Sequence, residues 1–173
     1  MSAQTTITLL RLIHIVAGVF WAGTVFVIAG FLIPSIKETG LEGARFMEHL
    51  MMRRKLGAFM GLSAGLAILA GFGLYGYSSA GTHGMWQGSR AGITYGIGGV
   101  CAVIAAVVGG AIIQPTAKRL STIVQHINAA DGPPSAEQLA QMQTLQRRIG
   151  VLARVVATLL LITVPAMAVA RYL

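Results

Sequence analysis

Charge and cysteine are both scarce in this chain. Of its 173 residues, 10% are charged and only five are acidic, whereas soluble domains carry about a quarter charged residues. That shortage points to the membrane class. Glu38, Glu42, Glu48, Asp131 and Glu137 all fall between the apolar stretches. A paired-carboxylate centre and a carboxylate relay across a bilayer therefore lack their usual residues. The single cysteine, Cys101, excludes an intrachain disulfide, a CxxC redox motif and a thiolate cluster. It reads as a small packing residue. No serine or cysteine nucleophile stands with a base, and no glycine loop has a phosphate-binding pattern.

What the chain does have is long apolar runs. Four windows, at 12–33, 56–77, 91–113 and 149–170, are long enough to cross a hydrocarbon core of about 30 Å. The first is too long for a typical signal-peptide core and has no basic segment before it, so it reads as a retained helix. The expectation is an all-α integral membrane protein: one four-transmembrane-helix up-down-up-down bundle over residues 1–173 with cytoplasmic helical extensions. Helices are expected at about 7–34, 54–78, 89–115 and 147–171, with cytoplasmic helical segments at about 41–53 and 116–146. No separate soluble module fits.

The net charge of +8 follows the same plan. Lys37, Arg45, Arg53, Arg54 and Lys55 lie between the first two windows, and Lys118, Arg119, Arg147 and Arg148 lie between the last two. The remaining connection offers only Arg90. Basic residues collect on the cytoplasmic side. Both termini are therefore expected outside, with loops one and three in the cytoplasm of a bacterial inner membrane. The charge reports topology, and its partner is the lipid bilayer rather than nucleic acid.

The connections carry patterns of their own. In "LEGARFMEHLMMRRKL", Leu41, Ala44, Met47, Leu50 and Met51 recur at helical spacing, and the segment is expected to run straight into the second helix. Leu120, Ile123, Val124 and Ile127 face Leu139, Met142, Leu145 and Ile149 in an expected helical hairpin. "DGPP" breaks that hairpin, and Ser135 with Gln138 forms a capping-box pattern. Pro34 and Pro115 are expected to mark helix exits, and Pro165 to kink the last helix. Arg154, inside the last window, reads as a side chain that snorkels to the interface.

Two glycine series recur every four residues: Gly57, Gly61 and Gly65, and then Gly84, Gly88, Gly92 and Gly96. They suit close helix packing, within the chain or against other membrane subunits or a second copy. They also suit a smooth groove for a flat ligand.

Among the four histidines, His49 and His126 fall on polar faces of the connections, and His83 lies in the loop "YSSAGTHGMWQGSR". His14 alone sits inside an apolar window. An intramembrane histidine is a candidate site by default; the alternative is a structural ring bonded to a Ser, a Thr or a backbone carbonyl of another helix. Arg11 shares its face at i−3, about 4.5 Å nearer the helix end, and Gly18 follows at i+4. A b-type haem needs these parts: His14 on iron, a small residue at Gly18 to admit the macrocycle, and Arg11 and Arg90 for propionates. His83 or Met85 offers a second axial ligand. Copper is the rival cofactor, with His83 and Met85 in "THGM" and Met47, His49, Met51 and Met52 in "MEHLMM" suiting Cu(I). The aromatic residues Tyr75, Tyr77, Trp86 and Tyr95 read as an interfacial belt. A third reading needs no cofactor: a non-catalytic subunit of a larger membrane complex.

"RLIHIVAGVFWAG", with His14, Trp21 and Gly23, resembles the first helix of small four-helix membrane proteins of the CopD-like and HemJ-like group. "MMRRKLGAFMG" is similar to the basic segment that leads into their second helix. Their third helix often begins with Trp and then Lys, where this chain has Trp86 and then Arg90. It also lacks the second intramembrane histidine of a HemJ-like porphyrinogen oxidase. What the resemblance implies is a haem- or copper-associated membrane protein, with no reaction specified.

Overall fold

The structure is a computed structural model that describes residues 2–130 and 133–173. Asp131 and Gly132 of the expected "DGPP" break lie outside the described residues. Among those described, every regular element is helical. Four helices are long and apolar enough to span a membrane: α1 (Ala3–Thr39), α3 (Leu56–Ala80), α4 (Arg90–Ala129) and α5 (Ala136–Tyr172). The short α2 (Leu41–Glu48) links the first two.

Side-chain caps begin three of the long helices. The Ser2 hydroxyl accepts from Thr5 N–H, and the Ser89 hydroxyl accepts from Gly92 N–H. Ser135 and Gln138 complete the reciprocal box that their spacing suggested. The second long helix starts differently. Lys55 takes a left-handed φ of 57°, and its carbonyl accepts from Ala58 and Phe59 N–H. The basic connection therefore turns at Arg54 and Lys55 and does not run straight into α3 as its periodicity suggested. Apolar spacing reports a face, but it is blind to a one-residue reversal of φ.

Helices α1 and α4 continue through Pro34 and Pro115. Each makes a wider, π-type turn just before its proline, at Ile28–Leu32 and Val108–Ile113. Ile33 N–H reaches back five residues to Ile28 O, and Gln114 N–H to Gly109 O. A proline has no N–H and crowds the carbonyl four residues earlier; widening the turn relieves that crowding without ending the helix. A third such turn, His49–Arg53, extends α2. Pro165 lies inside α5.

Small residues occupy the interior and large ones the outside. Ala17, Ala22, Ala64, Ala67, Ala70, Ala102, Ala105 and Ala153 are buried, whereas Val19, Phe31 and Leu69 are each about 70% exposed. Water would penalise so much aliphatic surface; hydrocarbon does not, and small side chains let helix backbones approach. Trp21, Val25, Val156 and Leu160 complete the main core with Ala22, Ala64, Ala102 and Ala105. Helix α1 packs chiefly along α3, and α4 along α5. A second cluster joins Ala44, Val124 and Met142, flanked by Leu41, Leu120 and Leu139. The apolar stripes of the two connections thus meet in one small core.

Candidate functional site around His14

The face of α1 that meets α3 carries Leu10, His14, Ala17 and Trp21, spaced by three or four residues. Ala17 and Trp21 are buried, and the imidazole above them is half-buried. His14 Nδ1 lies 2.7 Å from the backbone carbonyl oxygen of Ala67 on α3. A carbonyl oxygen only accepts, so Nδ1 carries the proton and donates. In the neutral ring this leaves Nε2 with its lone pair. Nε2 has no protein partner among the described residues and is not sealed from the surface.

Gly71, one turn along α3 from Ala67, makes this approach possible. A Cβ there would lie 3.0 Å from His14 Cε1 and 3.2 Å from Nδ1. At Gly73 a Cβ would lie 3.2 Å from a methyl of Leu10. These two glycines, outside the four-residue series, admit the histidine face. Within the series, a Cβ at Gly61 or Gly65 would meet nothing within 4 Å. Gly61 and Gly65 therefore do not serve packing within this chain, whereas a Cβ at Gly57 would meet Met51 O at 3.7 Å. Sequence reading missed Gly71 because a periodic pattern attracts notice, whereas this contact needs one gap opposite one ring. The carbonyl of Ala67 carries no side-chain signal at all.

Gly18, one turn beyond His14, faces open space. A Cβ at Gly18 would touch nothing within 4 Å. Arg11 is exposed, and it has neither a carboxylate partner nor a side-chain hydrogen bond among the described residues.

Tyr75 lies four residues beyond Gly71, about 6 Å further along the helix. Its hydroxyl donates to Gly92 O at 3.3 Å, and its ring meets Trp86 edge-on at 5.1 Å between centroids. Trp86 also lies 5.9 Å from Tyr95. These three aromatics pin the loop to the start of α4. A Cβ at Gly92 would collide with the backbone of Trp86 and Gln87, so this member of the second glycine series does serve close approach.

His83 and Met85 belong to that loop but point to no shared site. His83 is exposed in a left-handed conformation with φ of 51°, and Met85 is 80% exposed. Arg90 is exposed at the first residue of α4. No hydrogen bond or ion pair joins any of the three to His14 among the described residues. His49 is exposed, while Met47, Met51 and Met52 are partly buried. Among the described residues, no group of three or more His, Cys, Asp or Glu could hold a metal ion.

Chemically, the site is one imidazole fixed at its Nδ1 edge with a free Nε2. Metal-ligating histidines are commonly oriented by such a bond from the opposite nitrogen to a backbone carbonyl. A Cβ at Gly18 would face open space, and the exposed Arg11 lies about one turn from His14. Among the described residues, no second potential ligand stands beside Nε2. Comparison of the chain with protein-family models, curated proteins and solved structures gave no match.

Proposed function

We infer that the chain is a haem-b-associated redox or electron-transfer component of a membrane, with His14 as axial ligand through Nε2. One observation carries the reading. His14 Nδ1 donates to Ala67 O at 2.7 Å, a bond that a purely structural ring would make as well; what favours ligation is that it leaves Nε2 oriented and without a protein partner, as in many metal-bound histidines. Arg11 and Arg90 supply cations for propionates, and Gly18 supplies the gap. The bound group would exchange electrons; the chain's own residues orient the imidazole and hold anionic substituents.

The same reading takes the fold as an up-down-up-down bundle in a bacterial inner membrane, termini outside and first and third connections cytoplasmic. Antiparallel contacts support it: Leu10 with Gly73 and His14 with Gly71 in one pair, and in the other Gly98 with Thr163 while Val124 shares a cluster with Met142. The basic residues at both connections support the orientation. His14 then lies towards the outer face.

The test is an absorption spectrum with metal analysis on protein gently purified from haem-replete cells. The expected result is a Soret band that His14→Ala removes. A colourless, haem-free preparation overturns the reading. Copper bound tightly, and lost on changing His83 and Met85, would replace haem with the copper alternative.

A second reading has its own observation. Gly61 and Gly65 open outward on α3 beside exposed Leu62 and Leu69. Such a face suits a partner helix, and the chain would then be an accessory subunit without a cofactor. A stable co-purifying membrane protein in a colourless preparation favours this alternative.

A further inference from the structure

Helix α5 carries a guanidinium where its sequence is otherwise apolar. Arg154 is exposed on the helix surface. Its Nε donates to Gly150 O at 3.3 Å, while its terminal nitrogens have no protein acceptor among the described residues. The one ion pair among those residues is Arg45 with Glu42, so no carboxylate answers Arg154. Beside it lies a shallow cleft of about 380 Å³, lined by Val151, Arg154, Val155, Thr158 and Leu159. Apart from Arg154 and Thr158 the lining is aliphatic. Arg147 is exposed on the same stripe, seven residues earlier and about 10 Å along the axis.

A cation above an apolar cleft selects an amphiphile with an anionic head. Water alone would satisfy a snorkelling arginine, but it would leave the cleft unexplained. A second copy of this chain offers acidic residues only in its connections, and none within the apolar windows where Arg154 and the cleft lie. A lipid phosphate is available at this depth, and the planar guanidinium matches it with two parallel hydrogen bonds. We propose that Arg154 and its cleft bind an anionic phospholipid from the leaflet on the Arg147 side. The phosphate lies between Arg154 and Arg147, and one acyl chain runs along Val155, Thr158 and Leu159.

Titration of the purified full-length chain in nonionic detergent tests this, with dioleoyl phosphatidylglycerol and dioleoyl phosphatidylcholine compared by native mass spectrometry. Saturable binding of the anionic lipid is expected, preferred over the neutral lipid. Arg154→Gln should weaken it roughly fivefold, the equivalent of one basic residue at an anionic surface. Arg119→Gln, a charge-matched change outside the cleft, should leave it unaltered. Should Arg154→Gln fold poorly, Val155→Trp fills the cleft from an exposed position and should reduce binding with every arginine retained. Equal binding of both lipids overturns the proposal. Equal losses from Arg154→Gln and Arg119→Gln also overturn it, since they indicate attraction to net charge alone.

Discussion

His14 is held by a bond on one edge and a missing side chain on the same edge. Ala67 offers its carbonyl, and Gly71 offers the absence of a Cβ. The two requirements make opposite demands on substitution. At Gly71, alanine should favour the helix by up to about 1 kcal/mol, yet its methyl would press on Cε1 at 3.0 Å. Overpacking of this kind costs roughly 1–3 kcal/mol, so Gly71→Ala should lower the thermal unfolding midpoint. Gly65→Ala, at an open position, should leave it unchanged or raise it. Equal effects at the two sites would show that the ring does not press on Gly71. The sequence displayed His14 as an intramembrane polar residue, and Arg11 and Gly18 followed from helical spacing. Gly71 and Ala67 were illegible because their role lies in proximity across 50-odd residues of chain, which no local pattern encodes.

Between elements, hydrogen bonds from polar side chains to backbone carbonyls tie each helix pair. His14 reaches Ala67 across α1 and α3; Thr163 reaches Gly98 O at 3.1 Å across α5 and α4. Thr163 is buried and shares its hydroxyl with Leu159 O on its own helix. Thr163→Val keeps the shape and removes the donor. The expected loss is about 0.6–1.7 kcal/mol, the range of interhelical hydrogen bonds in membrane proteins, read from unfolding in detergent at matched denaturant. Helix content should be unchanged by circular dichroism. The helices themselves were legible because their apolar runs exceed any alternative use. Their joints were less so: the left-handed Lys55 and the passage of α1 and α4 through proline depend on single backbone torsions. Periodicity averages over several residues and passes over these.

For the molecule as a whole, small interior and large exterior side chains divide the chain's apolar content between itself and lipid. The second core, at Ala44, Val124 and Met142, lies on residues outside the four apolar windows and binds the two basic connections together. Arg45 Nε donates to Asn128 Oδ1, and Glu48 accepts from Ser121 and Gln125, so this layer is polar at its rim. Placing the connections together predicts that they share one side of the bilayer, opposite both ends of the chain. In a Cys101→Ala background, Ser2→Cys should react with an impermeant thiol reagent from one side only, and Asn128→Cys only after the membrane is opened. Labelling of both from the same side would refute the antiparallel plan. Charge bias supplies an expected orientation, which the labelling tests; the second core was readable as stripes, although the contact of Ala44 with the hairpin was not.

The π-type turns before Pro34 and Pro115 have a mechanical corollary. Each packs one residue more into its turn than a regular helix, and one residue corresponds to roughly 100° of rotation. Side chains beyond the turn are thereby re-phased against those before it, on one continuous rod. The bundle and the connection core can each choose their own facing, as two gears keyed separately to one shaft. A length change of one residue at 28–32 or 108–113 would swing the second core around the first while leaving both apolar stripes intact.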